Sequence, residues 1–287
     1  MTHPLASGER GAMQKYAALI SYVGTRYCGW QKQSGSAAEG ALAIQAVFDE
    51  ALRKITREPE ARTVGSGRTD SGVHAVGQVV HFVLHQKRWD TQILRRAFNS
   101  LLPRDIQVLG VQEVPIEFHA QRSAEKKQYS YYFQQGATAL PHFEPTSWWI
   151  RRSLNLEAMQ KGLAFLKGEH DFKPFQASGS VELKSTVRQI LEAEVTWNPI
   201  PYPGFFAGGF DGAPPFGLIR MRVVGTGFLK QMVRGIAGTL LQVGEERRPP
   251  EDFQRILETR DRQQVGPTAP ARALWLERVW YPGLDWG

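Results

Sequence analysis

Cysteine is nearly missing. The 287 residues carry one, Cys28. A lone thiol excludes an internal disulfide, a cysteine zinc cluster and an iron–sulfur site, and it suits a reducing cytosol. No apolar run approaches the ~20 residues of a membrane-spanning helix. The stretch Met1 to Gln14 lacks the apolar core of a secretory signal. The expectation is a cytoplasmic chain with no membrane association. Metal-ligand spacing is missing too. His81 and His85 stand four apart in a strand-like run, where that spacing separates them, and neither they nor His74 belong to an HExxH pattern. No metal is expected. There is no GxSxG elbow for a serine nucleophile.

Acidic residues are the scarcer sign. Asp plus Glu total 28 against 35 Lys plus Arg, a net charge of +7, and Arg outnumbers Lys 24 to 11. That excess points to a polyanionic partner, and the guanidinium fork suits phosphates and bases. Hydrophobic residues at 42% and charged residues at 22% exclude global disorder. At roughly 150 residues per domain, the length suggests two domains.

After a tail over residues 1–15, Tyr16 to Val23 reads as a strand. Ile44, Val47, Phe48, Ala51, Leu52 and Ile55 recur on one helical face, giving a helix from about Ala41 to Thr56. A short strand near Arg62 to Ser66 and a strand over Val76–Leu84 follow. A helix capped by Asp90 covers Ile93 to Leu101, and Ile106 to Val114 is a strand. That order, β-α-β-β-α-β, is ferredoxin-like. It repeats with a strand at Tyr129–Phe133, a helix at Leu156–Leu166, strands at Thr186–Trp197 and Leu218–Val224, a helix at Phe228–Val243 and a strand at Ala273–Tyr281. A shorter helix near Glu251–Leu257 is inserted. The stretch Pro199 to Gly217 reads as a long loop, either a partner contact or a passive insertion. The fold expected is α+β, with halves over residues 16–118 and 119–283. Sheets of this order often bind single-stranded RNA.

Gly65 to His74 (GSGRTDSGVH) joins two strands and carries one carboxylate, Asp70, two residues from Arg68. Asp-Ser-Gly is ordinary turn chemistry, so the loop alone leaves a structural turn and a functional loop both open. A phosphate cradle is disfavoured, because the loop opens onto a strand and lacks the closing Lys-Ser or Lys-Thr. Arg234 sits in an apolar helix with glycines at 235 and 238. It either snorkels to water or needs an anionic partner, and Asp70 is one such partner.

Several ordered segments together carry a resemblance. Tyr22 to Gln33 resembles YxGxxYxGWQxQ, and Gly67 to Ala75 resembles GRTDxGVHA. Phe118-His119-Ala120, Ser123-Ala124 and Lys126 to Tyr129 resemble an FHAR-SA-K-Y segment. Phe228, Met232-Val233-Arg234 and Gly238 resemble FxxxMVRxxxG. Ala269-Pro270-Ala271 with Leu274, Leu276 and Val279 resembles APAxxLxLxxV. Over about residues 16–282 the chain resembles the TruA-type tRNA pseudouridine synthases. Val23, Ser71 and Gln121 stand where the family more often has Asp, Ala and Arg.

The resemblance implies two ferredoxin-like halves whose antiparallel sheets merge around a central RNA-binding cleft. It implies Asp70 as the catalytic carboxylate, Arg68 and Arg234 flanking it, and Tyr129 stacking on the target uracil. Lys126, Lys127 and His74 are the further substrate-binding residues expected. It also implies a homodimer acting without cofactor on uridines 38, 39 and 40 of the tRNA anticodon arm. Isomerising uridine breaks the N1–C1′ bond and forms C5–C1′, with no net gain or loss of atoms. An ionised carboxylate can attack or stabilise C1′, or it can take a proton from C2′. A guanidinium beside it favours the ionised form. Two other classes compete. A non-catalytic RNA-binding protein would not need Asp70, and a nucleoside hydrolase normally needs a second carboxylate or a metal.

Overall fold

The computed structural model describes residues 13–31, 42–85, 88–180, 182–199 and 216–286. Most of the tail 1–15, most of the loop 199–217 and the Lys32-Gln33 end of the first motif lie outside them.

The first half holds β1 (Gln14–Tyr22), α1 (Ile44–Thr56), β2 (Val64–Gly65), β3 (His74–Leu84), α2 (Thr91–Leu101) and β4 (Ile106–Val114). The second holds β5 (Lys126–Gln135), β6 (Trp148–Ile150), α3 (Leu156–Ala164), β7 (Gly168–Asp171), β8 (Val187–Pro199), β9 (Gly217–Gly225), α4 (Met232–Gly244), α5 (Asp252–Thr259) and β10 (Leu274–Trp280). The sheet runs β4-β1-β3-β10-β5-β9-β8-β7, with β2 on β3 and β6 on β5. Each half keeps the ferredoxin-like order. In the first, β1 lies between β4 and β3; in the second, β5 lies between β10 and β9. The expected α+β fold with merged sheets is thus observed. The merger is a short parallel pairing of β10 with β3, Trp275 opposite His74 and Leu276 opposite Ala75.

The helices form because their apolar residues repeat at helical spacing, and they bury that stripe. In the first half Phe48 of α1 stacks on Phe98 of α2 with centroids 4.5 Å apart. Asp90 caps α2 as expected, accepting from the Ile93 N–H at 2.8 Å. In the second half Met159, Leu163, Ile236, Leu240 and Phe253 are fully buried. Fully burying a side chain of this size contributes about 1.5–3 kcal/mol.

Some boundaries differ from the sequence reading. Gln14 and Lys15 belong to β1, pairing with Leu84 and Val83, so the tail is shorter than expected. β5 extends beyond Tyr129–Phe133 through polar residues at both ends. α4 begins at Met232, not Phe228, because Gln231 adopts a left-handed backbone (φ 60°, ψ 6°). Lys230 therefore lies outside α4. β7 (GEHD) was not anticipated, since four polar residues show no apolar alternation.

Candidate active site

The loop carrying Asp70 ends where β3 begins, at the seam between the halves. The opening segment cradles it. The Tyr22 hydroxyl lies 2.8 Å from Thr69 Oγ1. Trp30 N–H donates to the Thr69 carbonyl at 3.2 Å. Ser71 Oγ and the Gly72 N–H donate to the Tyr27 carbonyl at 3.2 and 3.4 Å. Gly29 must be glycine: its φ is +100°, and a Cβ there would stand 2.5 Å from the Thr69 carbonyl oxygen. The first two sequence motifs are therefore halves of one packed unit.

From the other half, Arg234 Nη1 donates to Asp70 Oδ2 at 3.1 Å. The side chains are 15% and 18% exposed, so the pair is half-buried and only partly screened by water. Arg234 Nε donates to the Ala269 carbonyl at 2.8 Å, and the Ala269 N–H donates back to the Arg234 carbonyl at 3.1 Å. That segment lies so close to α4 that a Cβ on Gly238 would meet the Pro267 carbonyl oxygen at 1.7 Å. The Tyr131 hydroxyl donates to the Pro270 carbonyl at 2.9 Å. The MVR and APA motifs thus jointly hold the guanidinium. Asp70 Oδ1 has no hydrogen bond among the described residues, leaving one carboxylate oxygen available for chemistry.

The other expected residues divide. Tyr129 is 8% exposed, with its ring edge-on to Phe228 (centroids 4.9 Å, 74° between planes). Burial pushes its hydroxyl pKa up, and the nearby charges of Tyr22 and Asp70 push the same way. Lys127 shares its face of β5 by strand alternation, and its Nζ donates to the Ser66 carbonyl at 2.6 Å. Burial depresses its pKa to about 8. Lys126 points to the opposite face, its Nζ 4.8 Å over the Trp280 ring. The structure therefore does not bring it to Asp70.

Arg68 is exposed, and no ion pair joins it to Asp70 among the described residues. Among the described residues only Arg234 is ion-paired with the carboxylate. His74 is fully buried. Its Nδ1 accepts from the Gly24 N–H at 3.0 Å, and its Nε2 lies 2.8 Å from the Arg272 carbonyl. It props the end of the loop and presents no free nitrogen to a substrate. Among the described residues no group of three His, Cys, Asp or Glu side chains could hold a metal ion, and no helix is long and apolar enough to cross a membrane.

Gln78 was missed at the sequence level. It is fully buried, accepts from Ser66 Oγ at 2.6 Å and donates to the Gly67 carbonyl at 3.0 Å. It thereby fixes the start of the loop that carries Asp70. A glutamine inside the apolar run VGQVVHFVL was the available signal, because a buried amide needs partners.

The model of a family described as tRNA pseudouridine synthase matches residues 18–121 and 163–282. The tRNA pseudouridine synthase A of Oleidesulfovibrio alaskensis is 39% identical over 275 residues, covering 94% of this chain and 97% of the relative. That of Ruminiclostridium cellulolyticum is 38% identical over 269 residues (94% and 100%). That of Geobacillus kaustophilus is 37% identical over 272 residues (93% and 95%). With the opening, MVR and APA segments interlocked around the loop that carries Asp70, and with these likenesses spanning nearly the whole chain, the chain belongs to the TruA-type tRNA pseudouridine synthases, isomerases that convert uridine to pseudouridine in tRNA.

Proposed function

We propose that Asp70 is the essential carboxylate of this isomerisation and that the substrate is the tRNA anticodon arm at uridines 38, 39 and 40. One observation carries the reading: Asp70 is ion-paired through one oxygen to a half-buried Arg234 while its other oxygen has no hydrogen bond among the described residues. The free oxygen is directed at the ribose, either to C1′ or to the C2′ hydrogen. The N1–C1′ bond breaks and the uracil turns. C5 then bonds to C1′, the C5 hydrogen leaves as a proton, and N1 takes up a proton.

The target uracil must leave its stack to reach Asp70. Tyr129 is the platform we assign to it, with Phe228 bracing the ring from the side. Arg68, exposed two residues from Asp70, faces the RNA backbone. Lys127 adds positive charge at the loop. The reading includes a cleft between two ferredoxin-like units divided near residue 118, a homodimer, a cytoplasmic location and no cofactor.

The test uses tRNA transcripts with tritium at uridine C5. Isomerisation releases that hydrogen to water. Release by the unsubstituted protein and none by Asp70→Asn supports the reading. No release from any tRNA, with salt-sensitive binding retained, replaces it with an RNA-binding protein. Free uracil would instead mean a hydrolase, and unimpaired release by Asp70→Asn would mean that another group does the chemistry.

A further inference from the structure

A second groove lies along α4, outside the Asp70 site. It is an open depression of about 350 Å³ between β6 and α4. Gly238, Leu241 and Pro267 line it together with Arg151, Arg152 and Arg247, and Glu245 is its one carboxylate. Arg247 pairs with Glu245 at 3.2 Å. Arg151 and Arg152 are exposed and have no carboxylate partner among the described residues. Trp149 lines the same groove and is 36% exposed. Its indole N–H donates to the Gly136 carbonyl at 3.0 Å, which fixes the ring while leaving part of it open. A fixed, accessible aromatic ring beside unpaired guanidinium groups is the combination that binds a nucleic acid strand: stacking for a base, charge for the phosphates.

The groove and the Asp70 site border the same segment of chain from opposite sides. Pro267, which lines the groove, and Ala269, which accepts from Arg234, belong to one short segment clamped on α4. Gly238 is one turn of helix beyond Arg234. Glu245, at the far end, is eleven residues beyond it. At about 1.5 Å per residue the far end of the groove lies roughly 16 Å along α4 from Arg234. A second copy of this +7 chain would bring further net positive charge toward a groove already rich in arginine, so charge complementarity favours a polyanion.

We infer that this groove holds a stretch of the tRNA strand remote from the reacting uridine, with Arg151 and Arg152 on phosphates and Trp149 against a base or ribose. The inference rests on the tRNA reading above. It makes the groove an affinity site: it sets how tightly the whole substrate is held and leaves the chemical step alone.

The experiment compares the unsubstituted protein, Arg151→Gln/Arg152→Gln and Arg151→Lys/Arg152→Lys. It measures tritium release from a whole tRNA transcript, equilibrium binding of that transcript at several salt concentrations, and sedimentation. The glutamine pair should raise KM and weaken binding about tenfold, with kcat within about twofold, and should flatten the salt dependence by one to two phosphate contacts. The lysine pair should restore most of the loss. Release by the unsubstituted protein with unchanged KM, binding and salt slope in the glutamine pair overturns the groove and leaves the isomerase intact. Equal losses in the glutamine and lysine pairs mean a packing role and also overturn it. A KM rise accompanied by altered sedimentation makes the groove a contact between copies and overturns it as well. No release by any of the three proteins sinks the isomerase reading, which the binding data then separate from the groove.

Discussion

Arg234 Nη1 meets Asp70 Oδ2 at 3.1 Å across 164 residues of sequence, and a different edge of the same guanidinium meets the Ala269 carbonyl at 2.8 Å. The planar fork therefore joins the loop before β3, helix α4 and the segment before β10. A lysine carries the charge but lacks the fork, so it cannot meet both partners in this geometry. Arg234→Lys should lower kcat for tritium release by roughly 10²–10³-fold, the usual cost of removing one charge-stabilising donor from an active site. KM should change little. A single-turnover rate within threefold of the unsubstituted protein would show that Arg234 merely packs.

The two glycines flanking that turn of α4 should respond with opposite sign. A Cβ on Gly238 would stand 1.7 Å from the Pro267 carbonyl oxygen, which only a backbone shift relieves. A Cβ on Gly235 would have its nearest neighbour, a Phe175 ring carbon, at 3.4 Å, an ordinary contact. Gly238→Ala should therefore cost about 1–3 kcal/mol of stability and should slow release by displacing Ala269 from Arg234. Gly235→Ala should be neutral or stabilising by up to about 1 kcal/mol, from helix propensity alone. Denaturant unfolding of both variants checks this, and equal midpoints would refute the steric account.

Much of this arrangement was legible in the sequence, and the reasons are local. Helices α1 and α2 announce themselves because their apolar residues repeat at helical spacing and Asp90 caps the second. Asp70 draws attention through the resemblance of Gly67 to Ala75 to GRTDxGVHA, since the chemistry of the loop alone also fits a structural turn. Arg234 stood out because an arginine in an apolar helix needs a partner. What stayed hidden depends on tertiary placement. Nothing local says that Arg68 turns outward while Arg234 turns in. Lys126 and Lys127 are adjacent and alike in sequence, yet strand alternation sends only one to the site. His74 resembles a substrate ligand until both its nitrogens are seen bonded to backbone atoms. Gln231 hid the true start of α4, because a left-handed glutamine has no sequence signature.

Lys127 should give the pH profile an alkaline limb. Burial brings its pKa to about 8, against about 10.4 for a free lysine. It loses its charge as pH passes about 8. The KM for tRNA should rise there, and in Lys127→Arg the rise should move beyond pH 10, because a guanidinium stays charged. Stability moves the other way. Between about pH 8 and 10.4 the unfolded chain binds the proton and the native chain does not, so the burial penalty is relieved and stability increases through that window. KM measured from pH 7 to 9 in both proteins decides the matter, and superimposable profiles would remove Lys127 from substrate binding.

His81 should make the fold acid-sensitive at a point remote from Asp70. Its ring is 7% exposed, its Nδ1 accepts from the Ala120 N–H at 3.1 Å, and its centroid lies 4.9 Å from that of His119. Burial lowers its pKa to about 4, and the positive fields of His119, Lys15 and Arg122 push the same way. The unfolded chain takes up a proton below about pH 6.5, whereas the native chain holds the ring neutral until about pH 4. The native state thus binds fewer protons across that window, and stability is lost as pH falls through it. The loss from this one group should be about 2 kcal/mol by pH 4.5. Asparagine can still accept from Ala120 but does not titrate. The stability difference between pH 7 and pH 4.5 should therefore shrink by about that amount in His81→Asn. If both proteins lose stability in parallel over that interval, the acid sensitivity lies in other groups and His81 serves only as the acceptor that anchors the chain at Ala120.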